Sequence, residues 1–159
     1  MTKFPEVSID EVLAKLPQGD VGADARALVQ RAYEFAEAAH RGQLRKSGEA
    51  YIQHPLQVAF LLAGMHFDPT VIAAGLLHDV LEDCDVTREQ LADTFGREIF
   101  TLVEGVTKLE GVEEWVKQDI AWGRDLQELE SLRKMFIAMA EDDVRVTFIK
   151  LADRLHNMR

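Results

Sequence analysis

Apolar residues recur at three- and four-residue spacing along most of this chain, and no segment shows convincing strand-like alternation. Ser8-Ile9-Asp10-Glu11 has the spacing of a capping box ahead of Val12, Leu13 and Leu16. It predicts a short first helix ending at Pro17, then a loop over residues 18–22. An alanine-rich pattern with Leu28, Ala32, Phe35, Ala36 and Ala39 on one face predicts a helix over 23–41, stopped by Gly42. Residues 43–54 lack periodicity and read as a loop, and Pro55 suits the first position of the next helix. Asp68-Pro69 repeats that start signal and opens an apolar helix to about Cys84. Thr87-Arg88-Glu89-Gln90 offers a second capping box, and Gly96 breaks the pattern before a helix to about Lys108. Residues 110–125 resist reading, as a flap or a poorly patterned helix, while 126–140 and 144–158 read as two further helices.

The expected fold is therefore all-α: a bundle of about six to seven or more helices, with a short helix and loop over 1–22 and the main domain over 23–159. The last helical pattern runs to Arg159 without a stop signal, so the sequence is expected to be a piece of a longer chain. Twenty-eight acidic against 18 basic residues give a formal charge of -10, which repels a polyanion and argues against nucleic-acid partners. The longest apolar runs, Val58 to Met65 and Val71 to Leu77, fall far short of the ~18 residues of a membrane span. Residues 1–6 carry no apolar signal core, so a cytoplasmic setting is expected. Cys84 is the one cysteine, which excludes an internal disulfide and a cysteine-built zinc site. Two basic islands stand out, Arg41, Arg45 and Lys46, then Arg145, Lys150, Arg154 and Arg159; each reads as a solvated surface or a local anion site.

Candidate chemistry gathers in Leu77-His78-Asp79-Val80-Leu81-Glu82-Asp83. On a continuous helix, with His78 at zero, Asp79 lies near ~100°, Glu82 near ~40° and Asp83 near ~140°, so four ionisable groups share one arc of a helix whose rest looks buried. Such crowding is costly unless the groups pair or bind a cation. A solvated acidic stripe is the plain alternative for any one of them. His54, beside Pro55, and Asp153, on an otherwise apolar helix with Lys150 and Asn157 on the same face, are the available partners. For Asp153 the alternative is an ion pair with Lys150 or Arg154. Two imidazoles with two carboxylates suit manganese, iron, cobalt or zinc better than calcium. An ion so held polarises phosphoryl oxygens and lowers the pKa of bound water toward ~7, leaving Glu82 and Asp83 to take or steer its proton. His40 and His156 read first as structural residues, with shaping the basic loop and standing behind the metal as their respective alternatives; His66 reads as surface.

Three strings, Gly42-Gln43-Leu44-Arg45-Lys46-Ser47-Gly48-Glu49-Ala50-Tyr51-Ile52-Gln53-His54-Pro55, then His78-Asp79-Val80-Leu81-Glu82-Asp83, then residues 150–159, resemble the hydrolase domain of the RelA/SpoT homologue family. The resemblance runs from about Ala23 onward. It implies an HD-type helical fold and Mn²⁺ held by His54, His78, Asp79 and Asp153. It also implies hydrolysis of guanosine tetra- or pentaphosphate, (p)ppGpp, to GDP or GTP plus pyrophosphate. Glu82 and Asp83 match the family's catalytic acids, Arg45, Lys46 and Ser47 its nucleotide-contacting loop, and Asn157 its polar residue near the base. Ala50 stands where the family often has proline, and Leu129 where alanine is usual. An intact His-Asp…Glu-Asp motif implies a working hydrolase; the family's synthetase and regulatory domains are candidates for a full-length chain, and the sequence leaves open whether it carries them. An HD phosphohydrolase for another nucleotide, or a non-catalytic nucleotide sensor gating a linked synthetase, remain the alternatives.

Overall fold

Short polar side chains start three of the helices. Ser8 caps α1 (Ile9–Ala14) in a reciprocal box with Glu11, Asp68 accepts from the Val71 N–H at the head of α4 (Pro69–Leu77), and Thr87 accepts from the Gln90 N–H at the head of α6 (Arg88–Phe95). The computed structural model describes residues 5–119 and 144–157, with side chains up to Lys108, Val21 excepted, and from Val144 to His156. Among these residues the remaining helices are α2 (Ala23–Ala39), α3 (Gln53–Gly64), α5 (Val80–Asp83), α7 (Arg97–Asp119) and α8 (Val144–Asn157), with one 3-10 turn at Asp20–Gly22. The only pairing of strand type among them is an isolated antiparallel bridge between Leu44 and Ala50. The all-α expectation holds.

Every residue of α4 from Val71 to Leu77 is buried, because the helix is walled by α2, α3, α7 and α8. That surround explains why α4 carries no polar face: a helix apolar all round belongs in a core. Val12 and Leu16 from the N-terminal segment join the same core as Leu62, Ile72, Leu76, Leu91, Leu102 and Ile149. Gly105 of α7 lies where a Cβ would stand 2.8 Å from Val146 Cγ2, so its missing side chain lets α8 approach α7.

Several boundaries differ from the sequence expectation. The first helix ends at Ala14, three residues before Pro17. Pro55 occupies the third position of α3 rather than the first, so His54 is a helical residue and not a loop residue; Pro is tolerated anywhere in the first turn, where N–H groups lack intrahelical partners. The helix expected to run through to Cys84 breaks at His78 and Asp79, where the Asp79 backbone turns to φ -101°, ψ -3°. The helix expected to end near Lys108 continues to Asp119. The helix expected over 126–140, Leu129 and Arg159 lie outside the described residues.

Candidate metal centre

Two helices and the break between two others bring four side chains together at one buried site. The side-chain amide of Gln53 exchanges hydrogen bonds with the Val7 backbone (3.0 and 3.1 Å), which ties the N-terminal segment to the start of α3 and fixes His54 behind it. His78 and Asp79 come from the break between α4 and α5, and Asp153 from the buried side of α8. All four are buried, at 2%, 1%, 4% and 2% exposure, too little for water to solvate their charge. His78 Nε2 lies 3.0 Å from Asp79 Oδ2 and 3.2 Å from Asp153 Oδ1; His54 Nε2 lies 3.7 Å and 2.6 Å from the same two oxygens. The ligand atoms of His54, His78 and Asp79 all lie within 4.8 Å of one another.

Two atoms each about 2.1 Å from a shared ion, at tetrahedral or octahedral angles, sit about 3.0–3.4 Å apart. The observed separations straddle that range, so His54, His78 and Asp79 can share one divalent cation, with Asp153 Oδ1 set against both imidazoles. His78 also meets the usual orientation requirement: its Nδ1–H donates to the Gly75 carbonyl (2.6 Å), which leaves Nε2 facing the cluster. The break after Leu77 lets consecutive residues His78 and Asp79 address the same point, although on a continuous helix they would diverge by ~100°.

The electrostatics are those of a tightly coupled ionic cluster. For Asp79, burial pushes the carboxyl upward, but the charge and hydrogen bond of His78 and the charge of His54 together outweigh it and hold the group at about 2. Asp153 is likewise raised by burial yet held well below the carboxylate range by His54, His78 and Lys150. Burial lowers His78, but Asp79 and Asp153 overcome it and keep that imidazole well above its ordinary value, whereas burial wins at His54 and lowers it. Lys150, read from sequence both as part of a basic island and as an ion-pair partner for Asp153, is 3% exposed and lies 3.1 Å from Asp153 Oδ2, which leaves Oδ1 turned to the two histidines.

Glu82 and Asp83 are exposed on α5, one turn past the break. The residue that connects Asp83 to the buried cluster is Tyr51, which sequence reasoning left in a featureless loop. Its hydroxyl lies 2.8 Å from Asp79 Oδ2 and 2.9 Å from Asp83 Oδ2, and burial followed by the charge of Asp79 keeps it a phenol at all ordinary pH values. The Arg45 guanidinium lies 5.8 Å from the Tyr51 ring centroid. Arg45, Lys46 and Ser47 form the tip of a turn closed by the Gly48 N–H to Arg45 carbonyl bond (2.8 Å), and Gly48 supplies its φ of 90°. Lys46 and Ser47 are exposed there. His40 is buried, stacked on Tyr51 at 4.5 Å, with Nδ1 3.1 Å from Gln43 Oε1 and 3.2 Å from Cys84 Sγ, and so braces the loop. His66 is exposed, as expected. The Asn157 side chain lies outside the described ones. No helix among the described residues is long and apolar enough to cross a membrane.

Residues 32–159 match the family model of the HD domain. The chain is 44% identical over 154 residues to a guanosine-3′,5′-bis(diphosphate) 3′-pyrophosphohydrolase of Spiroplasma citri, matching 97% of this chain and 20% of that protein. It is 49% identical over 133 residues to a GTP pyrophosphokinase rsh of Brucella melitensis (84% and 17%), and 50% identical over 131 residues to a GTP pyrophosphokinase of Streptomyces coelicolor (82% and 14%). The chain thus spans a fifth or less of the length of these relatives. A solved structure described as a metazoan ortholog of SpoT that hydrolyzes ppGpp superposes with a TM-score of 0.61 at 28% identity, covering 84% of this chain and 69% of that one. The chain belongs to the HD-domain family, among its RelA/SpoT-type members.

Proposed function

We propose that this domain removes the 3′-pyrophosphate of (p)ppGpp: water adds across the ester linkage and leaves a 3′-hydroxyl on GDP or GTP plus free pyrophosphate. The observation that carries this reading is the convergence of His54, His78, Asp79 and Asp153, joined through Tyr51 to Asp83 beside it. The relative named as a 3′-pyrophosphohydrolase and the SpoT ortholog supply the substrate class. His54, His78, Asp79 and Asp153 hold the ion, taken to be Mn²⁺, which when bound polarises phosphoryl oxygens and acidifies water. Glu82 and Asp83 take and steer the proton of the attacking water, and Tyr51 holds the Asp83 carboxylate toward the metal side. Arg45, Lys46 and Ser47 confine cationic and hydrogen-bonding contacts for the nucleotide to one loop of an otherwise acidic protein, the guanidinium being suited to stacking on a purine. A cytosolic setting and a linked synthetase in a longer chain belong to the same proposal, the latter supported by relatives named GTP pyrophosphokinase.

Incubation of the domain with ppGpp and Mn²⁺ should release pyrophosphate and GDP, and a chelator should stop it. Binding of ppGpp without product would instead favour a sensor. Faster cleavage of deoxynucleotides than of ppGpp in a parallel panel would move the substrate elsewhere.

A further inference from the structure

The two histidines of the candidate metal centre are held from behind by different partners. His78 Nδ1 faces the Gly75 carbonyl, an atom that can only accept, so its proton must sit on Nδ1. His54 Nδ1 instead faces His156 Nδ1 at 2.6 Å, with the ring centroids 4.9 Å apart and 22° between planes, so the two rings meet edge to edge. A contact between two imidazole nitrogens this close holds one hydrogen: two bare lone pairs repel, and two N–H groups collide.

Which nitrogen carries that hydrogen is tied to what His54 Nε2 does. With the cation absent, Nε2 lies 2.6 Å from Asp153 Oδ1 and is the donor there, so neutral His54 has a bare Nδ1 and His156 donates. When Nε2 gives its lone pair to a cation, the one proton of His54 moves to Nδ1, and His156 Nδ1 has to be the acceptor. Each ring holds one proton in both arrangements. The shared hydrogen crosses from His156 to His54, one proton leaves His54 Nε2, and one arrives at His156 Nε2.

We infer that His156 is a positioning residue for the metal, an adaptable acceptor that sets the ring orientation and tautomer of His54 as a ligand. This rests on the metal reading given above, but not on any nucleotide being the substrate. Partners of this kind behind a metal-bound histidine commonly change affinity by about 10–100-fold.

The test separates the acceptor from the ring. His156→Phe keeps an aromatic ring and removes the acceptor; His156→Asn loses the ring but places a carbonyl oxygen near the position of Nδ1. Affinities for Mn²⁺, Co²⁺ and Zn²⁺ are measured by calorimetry without nucleotide, with circular dichroism of the chelated proteins checking the fold. The expected result is about 10–100-fold weaker binding in the Phe variant and recovery to within about threefold of wild type in the Asn variant. Equal weakening in both, or no weakening in the Phe variant, overturns the inference. A wild-type domain that binds none of the three ions sinks it together with the metal reading, whereas one that binds them but leaves ppGpp intact refutes only the proposed substrate.

Discussion

Asp153→Asn tests the ionic cluster without altering its shape. In the metal-free protein two buried carboxylates, Asp79 and Asp153, face two buried cations, Lys150 and the protonated His78. Replacing one carboxylate by an amide leaves that set one positive charge in excess, away from water. Breaking a buried pair in this way costs about 3–5 kcal/mol. A urea m-value of about 1–3 kcal/mol/M then moves the unfolding midpoint down by about 1 M or more. The sign of the pH dependence is fixed by the shifts. The Asp153 carboxyl is held below its ordinary value, so its contribution is complete above pH ~4 and is lost only as the pH falls through the folded value. In the variant, the excess charge is relieved when His78 gives up its proton, so the loss should be larger at pH 6 than at pH 8. The assay is urea denaturation followed at 222 nm in excess chelator at both pH values. A loss below about 1 kcal/mol at pH 6 would refute the view that this carboxylate neutralises buried charge, and a loss growing with pH would refute the assignment of the cation to His78.

Three further outcomes follow from the same geometry. Because His78 is protonated without metal and must be neutral as a ligand, Mn²⁺ affinity should rise about tenfold per pH unit between pH 5.5 and 6.5 with net proton release; pH-independent calorimetric affinities would contradict this. Glu82→Gln alters an exposed side chain, so stability should change by less than about 0.5 kcal/mol and metal content should hold, while turnover of ppGpp drops about 10²–10⁴-fold; wild-type turnover would remove Glu82 from proton handling. Gly105→Ala gains about 1 kcal/mol of helix propensity but drives a methyl into Val146, an overpacking cost of about 1–3 kcal/mol, so lower stability and weaker metal binding are expected together. A thermal melt that rises in this variant would show that α8 can move aside freely.

What could be read in the sequence was polar residues set in apolar surroundings. His78 and Asp79 stand out because the stretch from Val71 to Leu77 before them offers nothing but core residues, and Asp153 because it follows the buried Ile149 and Ala152. The break at His78–Asp79 leaves no such trace. No glycine or proline lies between Gly75 and Cys84, so local propensity favours continuing, and the backbone turns only where burial of the four groups at one point demands it. Lys150 read two ways, as part of a basic island and as an ion-pair partner of Asp153 on one face, and its burial beside that carboxylate realises the second. Tyr51 was silent, because a single tyrosine in an aperiodic loop has no pattern against which to register. The start of α3 was misplaced by two residues because Pro55 is permitted at more than one position of a first turn.

His54 and Asp153 are 99 positions apart in the chain yet 2.6 Å apart in space. An ion gripped by both would cinch a loop of nearly a hundred residues, and closing loops of that length is where a removable clasp restricts the unfolded chain most. Chelators should accordingly act on this domain as a reducing agent acts on a long-range disulfide, loosening the anchorage of its C-terminal helix before any catalytic group is disturbed. A single proteolytic nick between the two ends would leave the halves pinned for as long as the clasp stays shut.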